Sequence, residues 1–184
     1  VVAEVVIVLL SLVIGIISAL RQYSLLDHII TALAFIGYSM PIFFIAIVSM
    51  YLFGVKFKEW GLPSLPTVGM YDLQTGPTVG QIALHLILPV ASISIISIAG
   101  YSRFVRATML EVMSEDYIRT AKAKGLRRKT VIWVHALKNA SLPLVTIVGL
   151  DIPLLLGGAL VTEQIFGWPG TGFLFLYHTT RGDT

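Results

Sequence analysis

Between residues 1 and 20 the only charged side chain is Glu4; the rest are Val, Ile, Leu, Ala, Gly and Ser. A helix needs about 20 mostly apolar residues to cross the hydrocarbon core of a bilayer, so this run predicts a membrane span. Three further runs meet the same test, at about 29–54, 82–101 and 142–162. A last apolar stretch, GFLFLYHTT at 172–180, predicts the start of another helix. The pattern is that of an all-α, polytopic transmembrane helix bundle with about four full spans, and we read 1–184 as one transmembrane domain. Two connections stand out within it. Residues 55–81 carry Pro63, Pro66, Pro77 and several glycines, which predicts an irregular surface loop. Residues 103–140 form a long, strongly polar stretch.

Composition agrees. Of 184 residues, 56% are hydrophobic and 12% charged, and the mean hydropathy is +0.86, which excludes an ordinary soluble domain. The absence of cysteine excludes disulfides, thiolate catalysis and Cys-based metal sites. The chain begins inside an apolar run rather than at a methionine. That opening has no basic leader and no small-residue cleavage site, so it does not read as a signal peptide. We expect the chain to be a fragment of a longer subunit.

Charge sets the topology. Residues 103–140 contain nine of the thirteen basic residues and, against Glu111, Glu115 and Asp116, carry a net +6. Lys56, Lys58, Glu59 and Asp72 in the 55–81 loop cancel. The positive-inside rule places 103–140 in the cytoplasm. Alternation then puts 21–28 on the same side, and 55–81 and the residues after about 163 outside. Pro41, Pro89 and Pro153 fall within spans, where a missing N–H kinks a helix and neighbours or water satisfy the freed carbonyl. Pro143 fits the first turn of the fourth span, and Trp133 an interfacial anchor.

The basic stretch RTAKAKGLRR, residues 119–128, lies inside the cytoplasmic segment. On a helix over 116–125, Tyr117, Ile118, Ala121 and Gly125 share one face, with Arg119 and Lys122 opposite. Ser114 or Asp116 suits the N-cap, Glu115 and Asp116 suit the positive end of the helix dipole, and Gly125 suits a C-terminal stop. A lipid-surface helix would carry bulky side chains on that face; the small ones here favour close approach of another protein. A basic loop is also the ordinary consequence of topology, but 38 residues is far more than a membrane hairpin needs. We therefore expect Tyr117 and Ile118 to fill a partner's groove and Ala121 and Gly125 to permit close approach. Arg119, Lys122 and Lys124 would pair with acidic groups or lipid head groups, with Thr120 and Ala123 completing the contact.

Asp151 lies near the middle of the fourth span, beside Pro153 and the small residues Gly157, Gly158 and Ala159. A carboxylate at that depth is costly and marks a functional position; we expect it to face a translocation path and meet a substrate amine or metal, the alternatives being a pair with another subunit or a protonated carboxyl. The small residues suggest close helix packing. Glu4, near a span end, requires no special role. No phosphate-binding loop, His-Glu-x-x-His motif or Gly-x-Ser-x-Gly elbow occurs, so no ATP site or catalytic centre is expected in this chain. His28, His85, His135 and His178 are scattered, and no metal site is expected from them. The basic residues interleave with acids between spans, which argues against a nucleic-acid binder. A secondary transporter half would share the kinked spans and Asp151, but would leave the docking face unexplained.

These residues carry a family resemblance. EDYIRTAKAKGLRRKTVIWVHALKNASLPLVTIVG, from Glu115 onward, resembles the cytoplasmic signature of binding-protein-dependent ABC importer permeases. The general pattern is Glu-Ala-Ala, three residues, Gly, and a later Leu-Pro. Here the positions read Arg119, Thr120, Ala121 and Gly125, and Leu142-Pro143 comes late. Both departures resemble the dipeptide, oligopeptide and nickel permease branch, as do VTEQIFGWPGTG and LLDHIITALAFIGYSMPIFF. The resemblance implies a permease subunit of six spans, of which this chain would be the central part, in the cytoplasmic membrane of a prokaryote. It would pair with a second, usually different permease chain. Residues 117–125 would dock on an ABC ATPase subunit, which holds ATP and Mg; this chain would bind no cofactor. An extracytoplasmic solute-binding protein would deliver the cargo, peptides first, with nickel or another small solute as the alternative.

Overall fold

The computed structural model describes the backbone of residues 2–156 and 159–181, and side chains over 2–153 and 159–180. The packing expected at Gly157 and Gly158 lies outside these residues. The regular elements of the described residues are all helical: α1 (Val2–Leu20), α2 (Leu25–Ser39), α3 (Ile42–Met50), a π-helical turn at Tyr51–Lys56, α4 (Phe57–Glu59), α5 (Val79–Ser114), α6 (Asp116–Ala123), α7 (Arg128–Thr130), a second π turn at Val131–Ala136, α8 (Leu137–Ala140), α9 (Leu142–Leu156), α10 (Leu160–Ile165) and α11 (Thr171–Arg181). Among the described residues two helices, α1 and α5, are long and apolar enough to cross a membrane. The number rises to four if the interrupted pairs Leu25–Ser39 with Ile42–Glu59 and Arg128–Ala140 with Leu142–Pro153 each count as one crossing.

Three of the predicted boundaries change. The second run is not one helix. Pro41 has extended backbone and opens α3, its carbonyl accepting the Phe44 and Ile45 N–H groups at 3.0 and 3.2 Å. Proline cannot donate to a preceding turn and disfavours the helical conformation at Met40, so it starts a helix here instead of kinking one. The third run does not stop at 101. It continues to Ser114, 36 residues in all, or about 54 Å of helix, with Pro89 inside it. Residues 103–140 are consequently not a long loop: the end of α5, α6 and the run 128–140 make them mostly helix. The fourth run keeps Pro143 in its first turn and Pro153 inside α9 (Leu142–Leu156), and Leu160–Ile165 form the separate α10. Helix α11 forms where the last apolar stretch predicts one.

The chain divides into two compact units. One comprises Glu4–Tyr38 and Ser97–Asp151. Its core joins α1, the second half of α5, α6 and the helices after 128, through Ile16, Val105, Met109, Ile118, Val131, Ala136 and Leu144, all buried. Helices α1 and α5 touch at Gly15, where a Cβ would lie 2.7 Å from Val105 Cβ and 2.8 Å from the Ser102 carbonyl oxygen. Only a residue without a side chain lets the two backbones come this close.

The same unit buries an ion pair. Asp27 is 2% exposed. It accepts from Arg106 Nε at 2.9 Å and Nη2 at 2.8 Å, from the Tyr23 N–H at 3.0 Å, and from the Ser18 hydroxyl. Nearby, the Arg103 guanidinium lies 4.4 Å from the centre of the Phe35 ring, a cation–π contact.

The other unit comprises Val1–Ala3, Ser39–Ile96 and Ile152–Thr184. Ala46, Leu88 and Phe166 form its buried centre. The loop after Glu59 is irregular, as its Pro and Gly content predicts. It is tied down by hydrogen bonds from Leu65 N–H to the Phe53 carbonyl (2.9 Å) and from Gly69 N–H to the Phe166 carbonyl (2.8 Å). Glu163 caps α11: its Oε2 accepts the Phe173 N–H at 2.9 Å, a favourable place for a carboxylate at a helix N-terminus.

Candidate functional site

Helix α6 carries nearly all the residues singled out within 103–140. Its N-cap is Glu115, with extended φ and ψ of −65° and 148°; the Glu115 carbonyl accepts the Ile118 and Arg119 N–H groups at 3.1 and 3.2 Å. Neither Ser114 nor Asp116 holds that place. Ser114 belongs to the last turn of α5, where its hydroxyl donates to the Glu111 carbonyl at 2.7 Å.

The other end follows the expected stop. Gly125 has a φ of +74°. Its N–H donates to the Lys122 carbonyl (3.0 Å) and the Leu126 N–H to the Ala121 carbonyl (3.4 Å), which is the Schellman arrangement. Nothing lies within 4 Å of where a Gly125 Cβ would sit. Within this chain glycine is therefore required by backbone conformation and not by crowding.

The apolar stripe of α6 faces inward. Ile118 is fully buried and Ala121 nearly so, both in the core with Met109, Val131 and Ile132. Ile118, expected in a partner's groove, instead anchors α6 to its own chain. A helix of eight residues has one apolar stripe, and here folding uses it. Tyr117, at the stripe's edge, is 41% exposed, and its hydroxyl oxygen accepts from Asn139 Nδ2 at 2.8 Å. Arg119, Thr120, Lys122, Ala123, Lys124 and Gly125 are exposed. Arg119 pairs with Asp116 at 3.3 Å, while Lys122 and Lys124 make no ion pair among the described residues. The outward surface thus combines an aromatic ring, small residues and unpaired cations, held on a rigid base.

Asp151 takes part in a different cluster, in the same unit. Its carboxylate accepts from the Tyr101 hydroxyl. That hydroxyl also lies 3.5 Å from Glu4 Oε1. The Tyr101 hydroxyl on α5 thus stands between two carboxylates, Glu4 on α1 and Asp151 on α9. Glu4, which the sequence left without a role, shares the partner of Asp151.

Sequence reasoning missed Asp27 and Glu163. Asp27 is the only acid in the short 21–28 connection, which is a usable signal, but its partner lies 79 positions away. Arg106 looked like one more topology charge and proves to be half of a buried pair. No group of three or more His, Asp or Glu placed to hold a metal occurs among the described residues.

Comparison with known proteins adds a consistent set of relatives. Residues 11–184 match the family model described as the binding-protein-dependent transport system inner membrane component. The chain is 41% identical over 168 residues to the oligopeptide transport system permease protein AppB of Bacillus subtilis, covering 91% of this chain and 52% of that one. It is 41% identical to the dipeptide transport system permease protein DppB of Escherichia coli, covering 86% and 52%. It is 39% identical to the di/tripeptide transport system permease protein DppB of Pseudomonas aeruginosa, covering 94% and 55%. The chain spans about half the length of these relatives.

Proposed function

Because the chain belongs to the family of inner membrane components of binding-protein-dependent transport systems, we propose that it forms part of a permease subunit of an ABC importer for di- and oligopeptides. The names of its relatives support peptide as the cargo; those given above include no nickel carrier. Helix α6 is the observation that carries the mechanism. Its buried stripe fixes it to its own chain, and its exposed residues, Tyr117, Arg119, Thr120, Lys122, Ala123 and Lys124, meet an acidic groove on an ATPase subunit. ATP and Mg are held and hydrolysed there. Closure of the ATPase pair moves α6, and the buried contact through Ile118 and Ala121 passes that motion to α5 and the helices after 128. The subunit is multi-pass in the cytoplasmic membrane of a prokaryote, pairs with a second permease chain, and receives peptide from an extracytoplasmic binding protein. Asp151 lines the path.

The test places a single cysteine at Ala123 in the full-length protein, with any other cysteine removed, and cross-links in native membranes. Capture of an ATPase subunit with a yield that changes on adding ATP supports the assignment. A cysteine that reacts freely with a soluble thiol reagent but captures no ATPase refutes it. Asp151→Asn in the assembled transporter is expected to slow peptide uptake severalfold; unchanged uptake removes Asp151 from the path.

A further inference from the structure

One cavity of about 380 Å³ lies in the unit that contains the 39–96 segment, and its lining includes Leu86, Pro89, Ile93, Thr162, Glu163 and Trp168. That volume is within the range of small-ligand sites. Three features of its wall are polar and point to the same chemistry. Thr162 is 2% exposed and its Oγ1 has no hydrogen-bond partner among the described residues. A buried hydroxyl left unsatisfied is costly, and a ligand's donor would relieve that cost. Beside it, Glu163 uses Oε2 for the Phe173 N–H; among the described residues no cation pairs with it. Trp168 adds an indole ring, the best aromatic partner for a cation.

A carboxylate, a hydroxyl acceptor and an indole within an otherwise aliphatic wall match a primary ammonium attached to an apolar group. We propose that this cavity is a substrate subsite for the amino-terminal residue of a peptide. The ammonium meets Glu163, Thr162 and Trp168, and the first side chain lies against Leu86, Pro89 and Ile93. The inference rests on the peptide-import reading and adds the place and the end of the peptide that is recognised. The capping of α11 uses Oε2, and the charge the ammonium meets is that of the whole Glu163 carboxylate.

The experiment uses the full-length permease with its partner subunits in membrane vesicles. The probe is a dipeptide whose first residue is photo-leucine. After irradiation the adducts are mapped by mass spectrometry. We expect adducts within residues 82–93 and 159–168. Glu163→Gln keeps an oxygen acceptor for the Phe173 N–H and removes the charge, so the amide stays protected from hydrogen exchange. Its adduct yield at sub-saturating probe is expected to fall about tenfold, the effect of one lost charge-assisted bond. Thr162→Val is expected to lower the yield and Thr162→Ser to restore it. Adducts confined to other regions while the dipeptide is still imported overturn the subsite and leave the import reading intact, as does wild-type yield in both Glu163→Gln and Thr162→Val. Failure of the assembled transporter to import any peptide overturns the function itself, and the subsite with it.

Discussion

The Arg106 guanidinium grips the Asp27 carboxylate in a two-point pair, Nε to Oδ1 at 2.9 Å and Nη2 to Oδ2 at 2.8 Å. With Ser18 and the Tyr23 N–H on the same carboxylate, the pair ties the turn between α1 and α2 to α5. Removing one partner from a buried pair leaves an uncompensated charge, which costs about 3–5 kcal/mol. Arg106→Leu should therefore unfold in detergent at markedly lower temperature. The neutral pair Asp27→Asn with Arg106→Gln keeps hydrogen bonds without charge and should recover much of the loss. A double-variant cycle measured by thermal unfolding checks both.

Gly15 sits where α1 and α5 touch, with no room for a Cβ beside Val105 and the Ser102 carbonyl. Gly15→Ala should force the helices apart and cost about 1–3 kcal/mol, as overpacking does. Gly149 lies in α9 with nothing within 4 Å of its would-be Cβ, so Gly149→Ala should be neutral or slightly stabilising. Comparing the protease resistance of the two variants separates close packing from a general effect of adding a methyl group to a membrane helix.

Ile118 and Lys122 should divide stability from coupling. Ile118→Ala empties a fully buried site and should cost about 2–5 kcal/mol, visible as lower protein level and unfolding temperature. Lys122→Ala touches no core residue and should leave unfolding unchanged while weakening ATPase capture through the Ala123 cross-link. Equal loss of stability in both would place Lys122 in the fold and not at the partner's surface.

Gly125 separates conformation from contact. Its positive φ costs a non-glycine residue about 1 kcal/mol, and open space surrounds it. If backbone conformation is its whole role, Gly125→Ala and Gly125→Leu should lower transport per ATP hydrolysed by similar amounts, and Gly125→Asn, which tolerates this conformation, should do least. If a partner packs against it, the defect should grow with side-chain size. Uptake and ATPase rates on the same vesicles decide.

Much of the fold was legible locally. The apolar run of α1, the helical stop at Gly125, the Pro143 start of α9 and the last helix all follow from residue types at neighbouring positions, because hydrophobic length and capping chemistry act over one or two turns. The boundaries at Met40 and Ser114 were less legible. Proline has two local readings, kink or start, and only the surrounding packing selects one. The extension of α5 depends on Val105 and Met109 finding Ile118 and Val131 across the core, which no window of residues 102–114 contains.

The candidate site divides along the same line. The sequence alone determined a polytopic helical membrane protein and the family to which it belongs. It also determined the existence and the C-terminal stop of a short basic helix, since hydropathy, charge count and motif spacing are properties of the chain itself. Only the tertiary structure decided that Ile118 and Ala121 face inward while the cations face out. The same holds for the Asp27–Arg106 pair, the Tyr101 hydroxyl shared by Asp151 and Glu4, and the cavity beside Thr162 left without a bonding partner. The physical reason is that burial and pairing are relations between distant segments: a carboxylate's partner, or a hydroxyl's lack of one, exists only once the helices have packed.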